Sequence, residues 1–382
     1  MGDSILEYSF ENLDINDNLL RGIFAYGFEN PSNIQHKSIP LINKGKDLIA
    51  QSQSGTGKTG AFTIGILNNI NITLKRTQFI IVTPTHELAK QIYEVIIELS
   101  KYMNVSIAKV IGKTNINDSI TELRKDPQII IATPGRLIDM INRRHIYTDD
   151  IKSFILDEAD EMLSSGFMDT IYSIVTTLPK TTQILLFSAT LPTEILELTK
   201  HFMNNPESIL VNKEELTLEG IRQFYIKLEQ YNWKFDVLFE LYETINITQS
   251  IIYVNSKNVL NNLYHKLIND NYPVSYIHGD MTQKERESNL QNFKSGTTRV
   301  LLSTDLLSRG IDIQQLSLVI NFDLPRDKET YIHRIGRSGR YGRKGVSINL
   351  VTNEEMNCMK EIETFYNTKV EEMPKNISDY LS

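Results

Sequence analysis

Short runs of apolar residues recur along the first half of the chain, and each is followed by a stretch with helical spacing. The runs cover residues 47–50, 79–83, 107–111, 129–133, 154–156 and 184–187. Continuous apolar runs of about five residues, without strict alternation, are typical of strands in a parallel sheet that is covered on both faces. Between two of them, residues 87–103 carry an apolar stripe formed by Leu88, Ile92, Val95, Ile96 and Leu99. Such a stripe indicates an amphipathic helix, so the whole pattern predicts a doubly wound α/β domain.

The alternation stops in a polar segment after residue 208 and restarts at residue 250. Further strands are predicted at 250–254, 274–277, 299–303, 318–321 and 346–351, with helical spacing at 259–268 and 283–293. We therefore predict two tandem α/β domains with parallel sheets, residues 1–210 and 220–382, joined by a short linker at 211–219. Two similar domains in tandem favour a binding site in the cleft between them.

A glycine-rich sequence follows the first predicted strand and opens a predicted helix. It reads Ser52-Gln53-Ser54-Gly55-Thr56-Gly57-Lys58-Thr59. Gly55 and Gly57 let backbone N–H groups turn toward phosphate oxygens. Lys58 is placed to reach the outer phosphates, and the hydroxyl of Thr59 is a candidate ligand for Mg²⁺. Ser52 stands where the strict phosphate-loop pattern has glycine, so the match is to a looser form, and a glycine-rich turn without a ligand is the competing interpretation.

An acidic tetrapeptide, Asp157-Glu158-Ala159-Asp160, follows the predicted strand at residues 154–156. A carboxylate at the C-terminal end of a buried parallel strand faces the ligand crevice of an open sheet. Asp157 is therefore a candidate for holding Mg²⁺ through water, and Glu158 for orienting or deprotonating an attacking water. Alone, such a tetrapeptide is equally compatible with a solvated helix start. Together with the glycine-rich loop it indicates a site that binds and hydrolyses a nucleotide.

Composition narrows the class of protein. The chain has 382 residues, of which 41% are hydrophobic and 23% charged, and this excludes a disordered or fibrous protein. Its one cysteine cannot form an internal disulfide or a cysteine-based zinc site, so we expect a reducing compartment. The N-terminus lacks the basic and apolar regions of a signal peptide, and no apolar run of about 18 residues occurs. We therefore expect a cytoplasmic protein that does not span a membrane.

The distribution of charge bears on the kind of partner. The formal net charge of −7 argues mildly against nucleic acid, which needs a basic surface. Residues 280–345 nevertheless contain 12 Lys and Arg against 8 Asp and Glu, a local net charge of +4 that leaves −11 on the rest of the chain. A basic segment on an acidic body is compatible with weak, salt-sensitive binding to RNA.

Ordered sequence blocks along both halves of the chain carry a resemblance to a known family. In the first half they are Gly27-Phe28-Glu29-Asn30-Pro31-Ser32-Asn33-Ile34-Gln35, Pro84-Thr85-His86-Glu87-Leu88-Ala89, Thr133-Pro134-Gly135-Arg136 and Ser188-Ala189-Thr190. In the second half they are Gln283-Lys284-Glu285-Arg286, Ser303-Thr304-Asp305, Arg309-Gly310-Ile311-Asp312, Asp323-Leu324-Pro325 and His333-Arg334-Ile335-Gly336-Arg337-Ser338-Gly339-Arg340. With the glycine-rich loop and the acidic tetrapeptide, they resemble the DEAD-box family of ATP-dependent RNA helicases from end to end. Within that family the chain is most similar to the branch that acts in translation initiation.

The resemblance implies two RecA-like domains and an ATP site with bound Mg²⁺. Gln35 corresponds to the family's adenine-reading glutamine, because one amide can donate to a ring nitrogen and accept from the exocyclic amine. Phe28 corresponds to the surface on which adenine stacks, with Phe10 behind it, although Phe10 is equally well explained as a core aromatic. The implied ATP contacts are Phe10, Phe28, Gln35, Ser54, Gly55, Thr56, Gly57, Lys58, Thr59 and, at the ribose, Asp312.

The resemblance also implies residues for catalysis and for coupling. Arg337 and Arg340 correspond to arginines that neutralise charge on the transferred phosphoryl group. Their i, i+3 spacing within a predicted helical segment at 331–340 puts both on one helix face. The implied catalytic residues are Lys58, Asp157, Glu158, Arg337 and Arg340. The implied coupling residues are Asp160, Ser188, Thr190 and His333, with the two hydroxyl groups expected to hydrogen-bond Asp160.

RNA contacts are implied in both domains. They are Pro84, Thr85, Gly112, Thr133 and Arg136 in the first domain, and Arg286 and Thr304 in the second. Hydroxyl groups, glycine amides and arginines suit recognition of the RNA backbone, so we expect sequence-independent binding. Two positions depart from the family, with His86 in place of arginine and Lys113 in place of glycine. Because histidine lacks the guanidinium fork, we expect an altered grip on RNA, with Lys113 returning one positive charge nearby.

These observations predict an ATP-dependent RNA helicase that closes on ATP and single-stranded RNA and locally separates a short duplex. Translation initiation is the expected process, and the expected partners are RNA and a scaffold protein of the initiation complex, with the helicase itself a monomer. An ATP-gated clamp that holds RNA within a ribonucleoprotein assembly stays open as an alternative, and so does action on DNA. A metabolic phosphotransferase is disfavoured, because it would not need the arginines and backbone-binding blocks of the second domain.

Overall fold

The computed structural model describes residues 8–53, 55–164, 166–210, 221–245, 249–305, 313, 316–338, 345–374 and 376–380. The chain divides into two compact units, Met1–Val211 and Asn212–Ser382. Three of the predicted site residues, Ser54, Asp312 and Arg340, lie outside the described residues, and so does the predicted linker at 211–219. Their predicted roles therefore stay predictions.

The first unit is built on a parallel sheet of seven strands within the described residues. The strands are β1 (Leu48–Gln51), β2 (Phe79–Val82), β3 (Ile107–Val110), β4 (Ile129–Ala132), β5 (Ser153–Asp157), β6 (Gln183–Ser188) and β7 (Glu207–Ile209). Their order across the sheet is β3-β4-β2-β5-β6-β1-β7, and every pair is parallel. All carboxyl ends therefore meet at one edge, where an open α/β sheet binds its ligands.

Helices cover both faces of this sheet. They are α1 (Asp17–Tyr26), α2 (Asn33–Asn43), α3 (Lys58–Asn68), α4 (His86–Leu99), α5 (Ile116–Leu123), α6 (Pro134–Asn142), α7 (Ala159–Ser164), α8 (Met168–Val175) and α9 (Thr193–Thr199). Successive residues of a strand enter different cores: Phe79 and Ile81 of β2 join one cluster, and Ile80 and Val82 join the other. Because both faces are buried, the strand is apolar throughout, which is the pattern visible in the sequence.

The second unit repeats the architecture. Its strands are β8 (Ile221–Leu228), β9 (Ser250–Tyr253), β10 (Val274–Ile277), β11 (Val300–Ser303), β12 (Leu318–Asn321), β13 (Gly345–Thr352) and β14 (Glu371–Glu372), in the order β10-β11-β9-β12-β13-β8-β14. Its helices are α10 (Trp233–Thr244), α11 (Lys257–Asn269), α12 (Gln283–Lys294), α13 (Lys328–Ile335) and α14 (Met356–Tyr366). The predicted fold class, two doubly wound parallel-sheet domains in tandem, is therefore confirmed.

The strands that the sequence pattern predicts are all present, with ends that shift by one residue at most. The pattern missed β7, β8 and β14. Strand β8 escapes because exposed Arg222 and Lys227 interrupt its apolar residues, and β14 is only two residues long. The helix predicted at 331–340 is wrong at its C-terminal end, since α13 stops at Ile335 and Ser338 already forms a β-bridge with Leu316. The argument that placed Arg337 on a helix face therefore fails.

Close packing of α1 on α4 illustrates how the first unit holds its helices. A Cβ atom on Gly22 would lie 1.9 Å from the backbone oxygen of Leu99, so the two helices approach to a distance that glycine alone permits. The hydroxyl of Thr85 begins α4 by accepting a hydrogen bond from the N–H of Leu88 at 3.3 Å. Within the described residues, no helix has the length and apolar character needed to cross a membrane.

Candidate functional site

The glycine-rich loop lies between β1 and α3, as predicted. Gly55 and Gly57 have φ angles of 83° and 101°, in the left-handed region that favours glycine. Gly57 is the N-cap of α3, and because it has no side chain it leaves the first N–H groups of the helix uncapped. Lys58, the first residue of the helix, donates from Nζ to the backbone oxygen of Ser52 at 2.8 Å. The loop therefore offers amide donors and one lysine to an anionic group, which fits a phosphate.

Hydroxyl groups brace this loop from within. The Oγ1 of Thr56 donates to the backbone oxygen of Gln53 at 2.8 Å and lies 2.5 Å from the Oγ of Ser52. Thr59 is half-buried on the first turn of α3. Ser52, the departure from the strict phosphate-loop pattern, thus has a defined role here, because its side chain and its carbonyl hold Thr56 and Lys58.

Residues predicted to read adenine come together beside α3. Gln35 is buried on α2, accepts a hydrogen bond from the N–H of Ser32 at 2.9 Å, and donates from Nε2 to the backbone oxygen of Gly57 at 3.3 Å. The rings of Phe10 and Phe28 are near parallel with centroids 6.3 Å apart. Phe10 is fully buried whereas Phe28 is half-buried. Phe28 therefore has a free surface for stacking, and Phe10 supports it from the core.

Two glycines, Gly57 at the N-cap of α3 and Gly60 in its first turn, make room for these adenine-reading side chains. A Cβ atom on Gly57 would lie 2.7 Å from Nε2 of Gln35. One on Gly60 would lie 2.6 Å from the same atom and 3.1 Å from the Phe28 ring. Gly60 was not among the predicted site residues. The signal for Gly60 in the sequence is its spacing. It lies three residues after Gly57, so the two glycines lie on the same face at the start of the helix.

The acidic tetrapeptide begins at the carboxyl end of β5, where Asp157 is the last strand residue. Burial raises the pKa of the Asp157 carboxyl above its ordinary value, and the neighbouring carboxylates of Glu158 and Asp160 raise it further, while Lys58 opposes them. Glu158 has a φ of 55°, a left-handed conformation that is unfavourable for this residue type. Buried carboxylates that repel one another are a donor set that a divalent cation stabilises, so the residues present fit Mg²⁺.

The segment after β6 connects the phosphate loop with the acidic tetrapeptide. Strand β6 lies between β1 and β5 in the sheet. The backbone oxygen of Ser188 accepts from the N–H of Ser52 at 3.0 Å, and that of Ala189 accepts from Nε2 of Gln51 at 3.3 Å. On the other side, the hydroxyl of Thr190 donates to the carboxylate of Asp160. This segment is therefore bonded to both halves of the site.

Two details of this connection differ from the sequence-based expectation. The hydroxyl of Ser188 is fully buried and makes no hydrogen bond within the described part of the chain, so the predicted bond from Ser188 to Asp160 is absent. Ser188 is the last residue of β6, where its position is set by the strand pairing with Gln51. Gln51 itself was missed by the sequence analysis, although a polar residue at the carboxyl end of a buried strand was a usable signal.

The predicted RNA residues of the first unit follow three neighbouring strands. Thr85 follows β2, Gly112 follows β3 and Thr133 follows β4. The N–H of Gly112 donates to Oγ1 of Thr133 at 2.9 Å. Nε2 of His86 lies 3.8 Å from the point where a Cβ atom on Gly112 would stand. These residues therefore form one cluster, with half-buried Pro84 preceding Thr85.

Arg136 has an internal role in this cluster. Its guanidinium group donates to Oγ of Ser119 at 2.9 Å and to the backbone oxygen of Thr114 at 2.8 Å. It thereby holds the turn after β3, in which Lys113 is exposed and has a φ of 55°. Glycine adopts that conformation without strain, which explains why the family pattern has glycine at this position. Lys113 adopts the same conformation at a cost in backbone conformational energy.

The predicted residues of the second unit lie on several elements. His333 is on α13, Arg337 follows that helix, and Thr304 follows β11. Arg286, on α12, donates from Nη2 to the backbone oxygen of Gly279 at 2.6 Å. Sequence reasoning assigned no role to Arg334, whose fully buried guanidinium forms an ion pair with Asp305 at 2.6 Å. The only signal for Arg334 in the sequence was its position within the block at residues 333–340 that resembles the family.

Two protein-family models and several curated relatives match the chain. Residues 32–198 match the family model described as DEAD/DEAH box helicase, and residues 233–342 match the model described as helicase conserved C-terminal domain. The chain is 54% identical over 97% of its length to the ATP-dependent RNA helicase eIF4A of Meyerozyma guilliermondii, covering 94% of that protein. It is also 54% identical to the eIF4A of Candida albicans, over 97% of this chain and 93% of that one.

A solved structure shows the same architecture. The structure of S. cerevisiae Dbp5 bound to RNA and ADP BeF3 superposes with a TM-score of 0.90 at 37% identity, and the match covers 97% of each chain. Both family models fall within the two units, and the relatives are matched over nearly their whole lengths. The chain therefore belongs to the DEAD-box family of ATP-dependent RNA helicases.

Proposed function

We propose that this protein hydrolyses ATP to ADP and phosphate and uses the cycle to bind single-stranded RNA and separate short duplexes locally. The observation that carries the proposal is the bonded connection between the two halves of the ATP site. The segment 188–190 contacts the phosphate loop through Ser188 and the acidic tetrapeptide through Asp160. A change at the phosphates would therefore be transmitted to the residues that the resemblance assigns to coupling.

In this proposal the first unit binds ATP with residues that the fold already orients. Hydrogen bonds with Ser32 and Gly57 fix Gln35 beside the exposed side of Phe28. The adenine ring would stack on Phe28, and the side-chain amide of Gln35 would recognise it by hydrogen bonds. The amides of the loop and the ammonium group of Lys58 would bind the phosphates. Lys58 would exchange its bond to the backbone oxygen of Ser52 for bonds to the outer phosphates.

Thr59 and Asp157 would hold Mg²⁺, partly through water. The cation supplies charge neutralisation at the phosphate oxygens when bound. Glu158 is placed one residue after Asp157 and would orient the attacking water and accept its proton. Arg337, together with Arg340, would neutralise the negative charge that develops on the transferred phosphoryl group, a contribution of roughly 10³ to 10⁵ in rate for arginines of this kind.

RNA would bind along the carboxyl ends of β2, β3 and β4 and to Arg286 and Thr304 of the second unit. Hydroxyl groups and backbone amides in this cluster suit phosphate and 2′-hydroxyl groups, so binding would not depend on base sequence. In the cluster of the first unit, Arg136 would act mainly by holding the turn that carries Gly112 and Lys113, because its donors already bond Ser119 and Thr114.

Translation initiation is the process we propose, since relatives at 54% identity carry the name eIF4A. We further propose cytoplasmic location, a monomeric enzyme and recruitment by a scaffold protein. ATPase activity measured with and without such a scaffold, in the presence of RNA, tests this part. No stimulation by the scaffold, with stimulation by RNA intact, would contradict the initiation role and leave the helicase role standing.

The helicase role is tested by RNA-stimulated ATPase and by unwinding of a short RNA duplex. Glu158→Gln should remove turnover while ATP-dependent binding of single-stranded RNA persists, because the amide keeps the shape of the side chain and cannot accept the proton. Wild-type turnover in that variant would contradict the role of Glu158. DNA of the same sequence should stimulate the ATPase less than RNA, since it lacks the 2′-hydroxyl group. ATP-dependent RNA retention without any unwinding would instead favour the RNA clamp.

A further inference from the structure

Lys234, the second residue of α10, is fully buried in the second unit. Its Nζ lies 2.8 and 3.0 Å from the two carboxylate oxygens of Glu355 and 3.8 Å from Oδ1 of Asp323. It also lies 4.9 Å from the centre of the Tyr231 ring. Burial of an ammonium group is costly even when it is paired, and an apolar side chain of the same length would fill the space as well. We therefore looked for a role of the Lys234 charge other than stabilisation of the fold.

Asp323 links this lysine to the end of a strand. Its Oδ1 accepts from the hydroxyl of Tyr231 at 2.8 Å, and its Oδ2 accepts from the N–H of Asn255 at 2.8 Å. Asn255 follows β9 and Asp323 follows β12, which are neighbours in the sheet. Asp323 and Lys234 thus fix the carboxyl ends of two central strands relative to α10.

Arg334 on α13 forms hydrogen bonds with both Asp323 and Asn255. Its Nη1 donates to the backbone oxygen of Asp323 at 2.7 Å, and its Nη2 donates to Oδ1 of Asn255 at 2.8 Å. Its Nε donates to Asp305, beside Thr304, at 2.6 Å. The guanidinium group therefore has bonds on three sides and cannot turn without breaking them.

Arg337 lies three residues after Arg334, beyond the end of α13. Since α13 ends at Ile335, the position of Arg337 is not set by helix geometry. It depends on how firmly the last turn of the helix is anchored, and Arg334 anchors that turn from one side, while the β-bridge between Ser338 and Leu316 holds the residue after Arg337. A charge that holds Asp323 consequently acts on the placement of Arg337 through Arg334.

We propose that Lys234 is a positioning residue for ATP hydrolysis, which holds Asp323 and thereby Arg334 so that Arg337 is delivered to the transferred phosphoryl group. The inference rests on the proposed role of Arg337. Its substrate-binding consequence is small, because none of the predicted adenine or phosphate-loop contacts belongs to this network. Lys234 should therefore affect the maximal rate of hydrolysis and leave the apparent affinity for ATP nearly unchanged.

A double-mutant cycle on the full chain tests the inference. Lys234→Met keeps length and burial and removes the charge; we expect kcat at saturating RNA to fall on the order of tenfold, with the KM for ATP within about twofold. Lys234→Arg should restore a good part of the rate. In the Arg337→Ala background, Lys234→Met should have little further effect, because the residue it positions is gone. Lys266→Met serves as the control and should keep the wild-type rate. Lys266 is an exposed lysine on α11 that contacts Phe235, a residue of α10 next to Lys234.

The outcomes separate this inference from the proposed function. If Arg337→Ala is inactive while Lys234→Met keeps the wild-type kcat, or if the two effects multiply in the double mutant, the positioning role is refuted and the ATPase stands. If wild type shows no RNA-stimulated hydrolysis, the proposed function itself fails. Should Lys234→Met unfold, as judged by circular dichroism, Tyr231→Phe replaces it. That variant removes one hydroxyl from Asp323 without exposing a charge, and an unchanged kcat there would refute the inference as well.

Discussion

The hydroxyl of Thr190 donates a hydrogen bond to the carboxylate of Asp160, while the backbone of the same segment bonds the phosphate loop at Ser52. The bond joins two elements that are separated by a whole helix–strand unit in the sequence. The other hydroxyl group of this segment belongs to Ser188, two residues before Thr190, and it makes no hydrogen bond in the described part of the chain. The two hydroxyl groups of this segment are therefore not equivalent, and their removal should have different effects.

We expect Thr190→Val to lower RNA unwinding by about tenfold with a smaller loss of ATP hydrolysis, since a hydrogen bond to a charged group is worth ~1.5–3 kcal/mol. Valine keeps the shape of threonine and removes the donor. Unwinding of a short duplex and ATP turnover, measured on the same preparation, check the prediction. Ser188→Ala is the matched control and should keep both activities, and equal losses in the two variants would show that Asp160 is not the relevant partner.

We expect Gly60→Ala to raise the KM for ATP on the order of tenfold or more. The added Cβ would lie 2.6 Å from Nε2 of Gln35 and 3.1 Å from Phe28, so both adenine-reading side chains must move. Gly65→Ala on the same helix is the control, because its Cβ would meet Ile42 at 2.6 Å, away from these residues. Both variants should unfold at lower temperature than wild type. A similar KM in the two would contradict the assignment of Gln35 and Phe28.

We expect Lys113→Gly to weaken RNA binding and to lower the slope of log Kd against log salt concentration by roughly 0.7. Lys113 is exposed beside the Gly112–Thr133 cluster, so its charge is available to a phosphate. The same change relieves a left-handed backbone, so the free energy of unfolding should not decrease. Filter binding at several salt concentrations and urea denaturation measure the two effects.

Lys125→Gln is the control for that experiment, since Lys125 is exposed in the same unit and already paired with Glu122 at 2.6 Å. It should leave the salt slope unchanged. An equal change of slope in both variants would indicate a general electrostatic effect of the first unit and would remove Lys113 from the RNA path.

Protonation of His278 should destabilise the second unit at mildly acidic pH. Burial lowers the pKa of its imidazole below the ordinary value of about 6.5, and the nearby charges of Lys257 and Arg286 lower it further, while Asp280 and Glu285 oppose them. The unfolded chain therefore binds a proton that the folded chain resists. The stability that neutral His278 contributes is present above about pH 6.5 and is lost as the pH falls through that value toward the lower folded pKa.

The measurement is urea denaturation at pH 7.5 and at pH 5.5. The free energy of unfolding should fall less between these values in His278→Gln than in wild type. His265→Gln, at an exposed position of α11, is the control and should behave as wild type. An identical pH dependence in wild type and His278→Gln would show that this histidine does not contribute.

The apolar runs of β2 and of residues 318–320 in β12 predicted both sheets, because a strand buried on two faces places apolar side chains in the core on each side. The glycine-rich loop was also visible, since the φ angles at Gly55 and Gly57 restrict the residue type locally. Strand β8 was not predictable in this way, because its exposed Arg222 and Lys227 interrupt the pattern. The helix end at Ile335 was missed because the β-bridge that competes with the helix at Ser338 needs Leu316, which is distant in sequence.

What the sequence determined by itself was the repeated strand–helix order, the phosphate loop and the acidic tetrapeptide, all of which depend on neighbouring residues. Tertiary structure alone decided which side chains of these blocks meet: Thr190 but not Ser188 reaches Asp160, Arg136 turns inward to Thr114, and Arg334 gathers Asp305, Asp323 and Asn255. The physical reason is that hydrogen bonds are short and directional. They form between atoms that strand order and register bring together, and no local pattern in the chain encodes those distances.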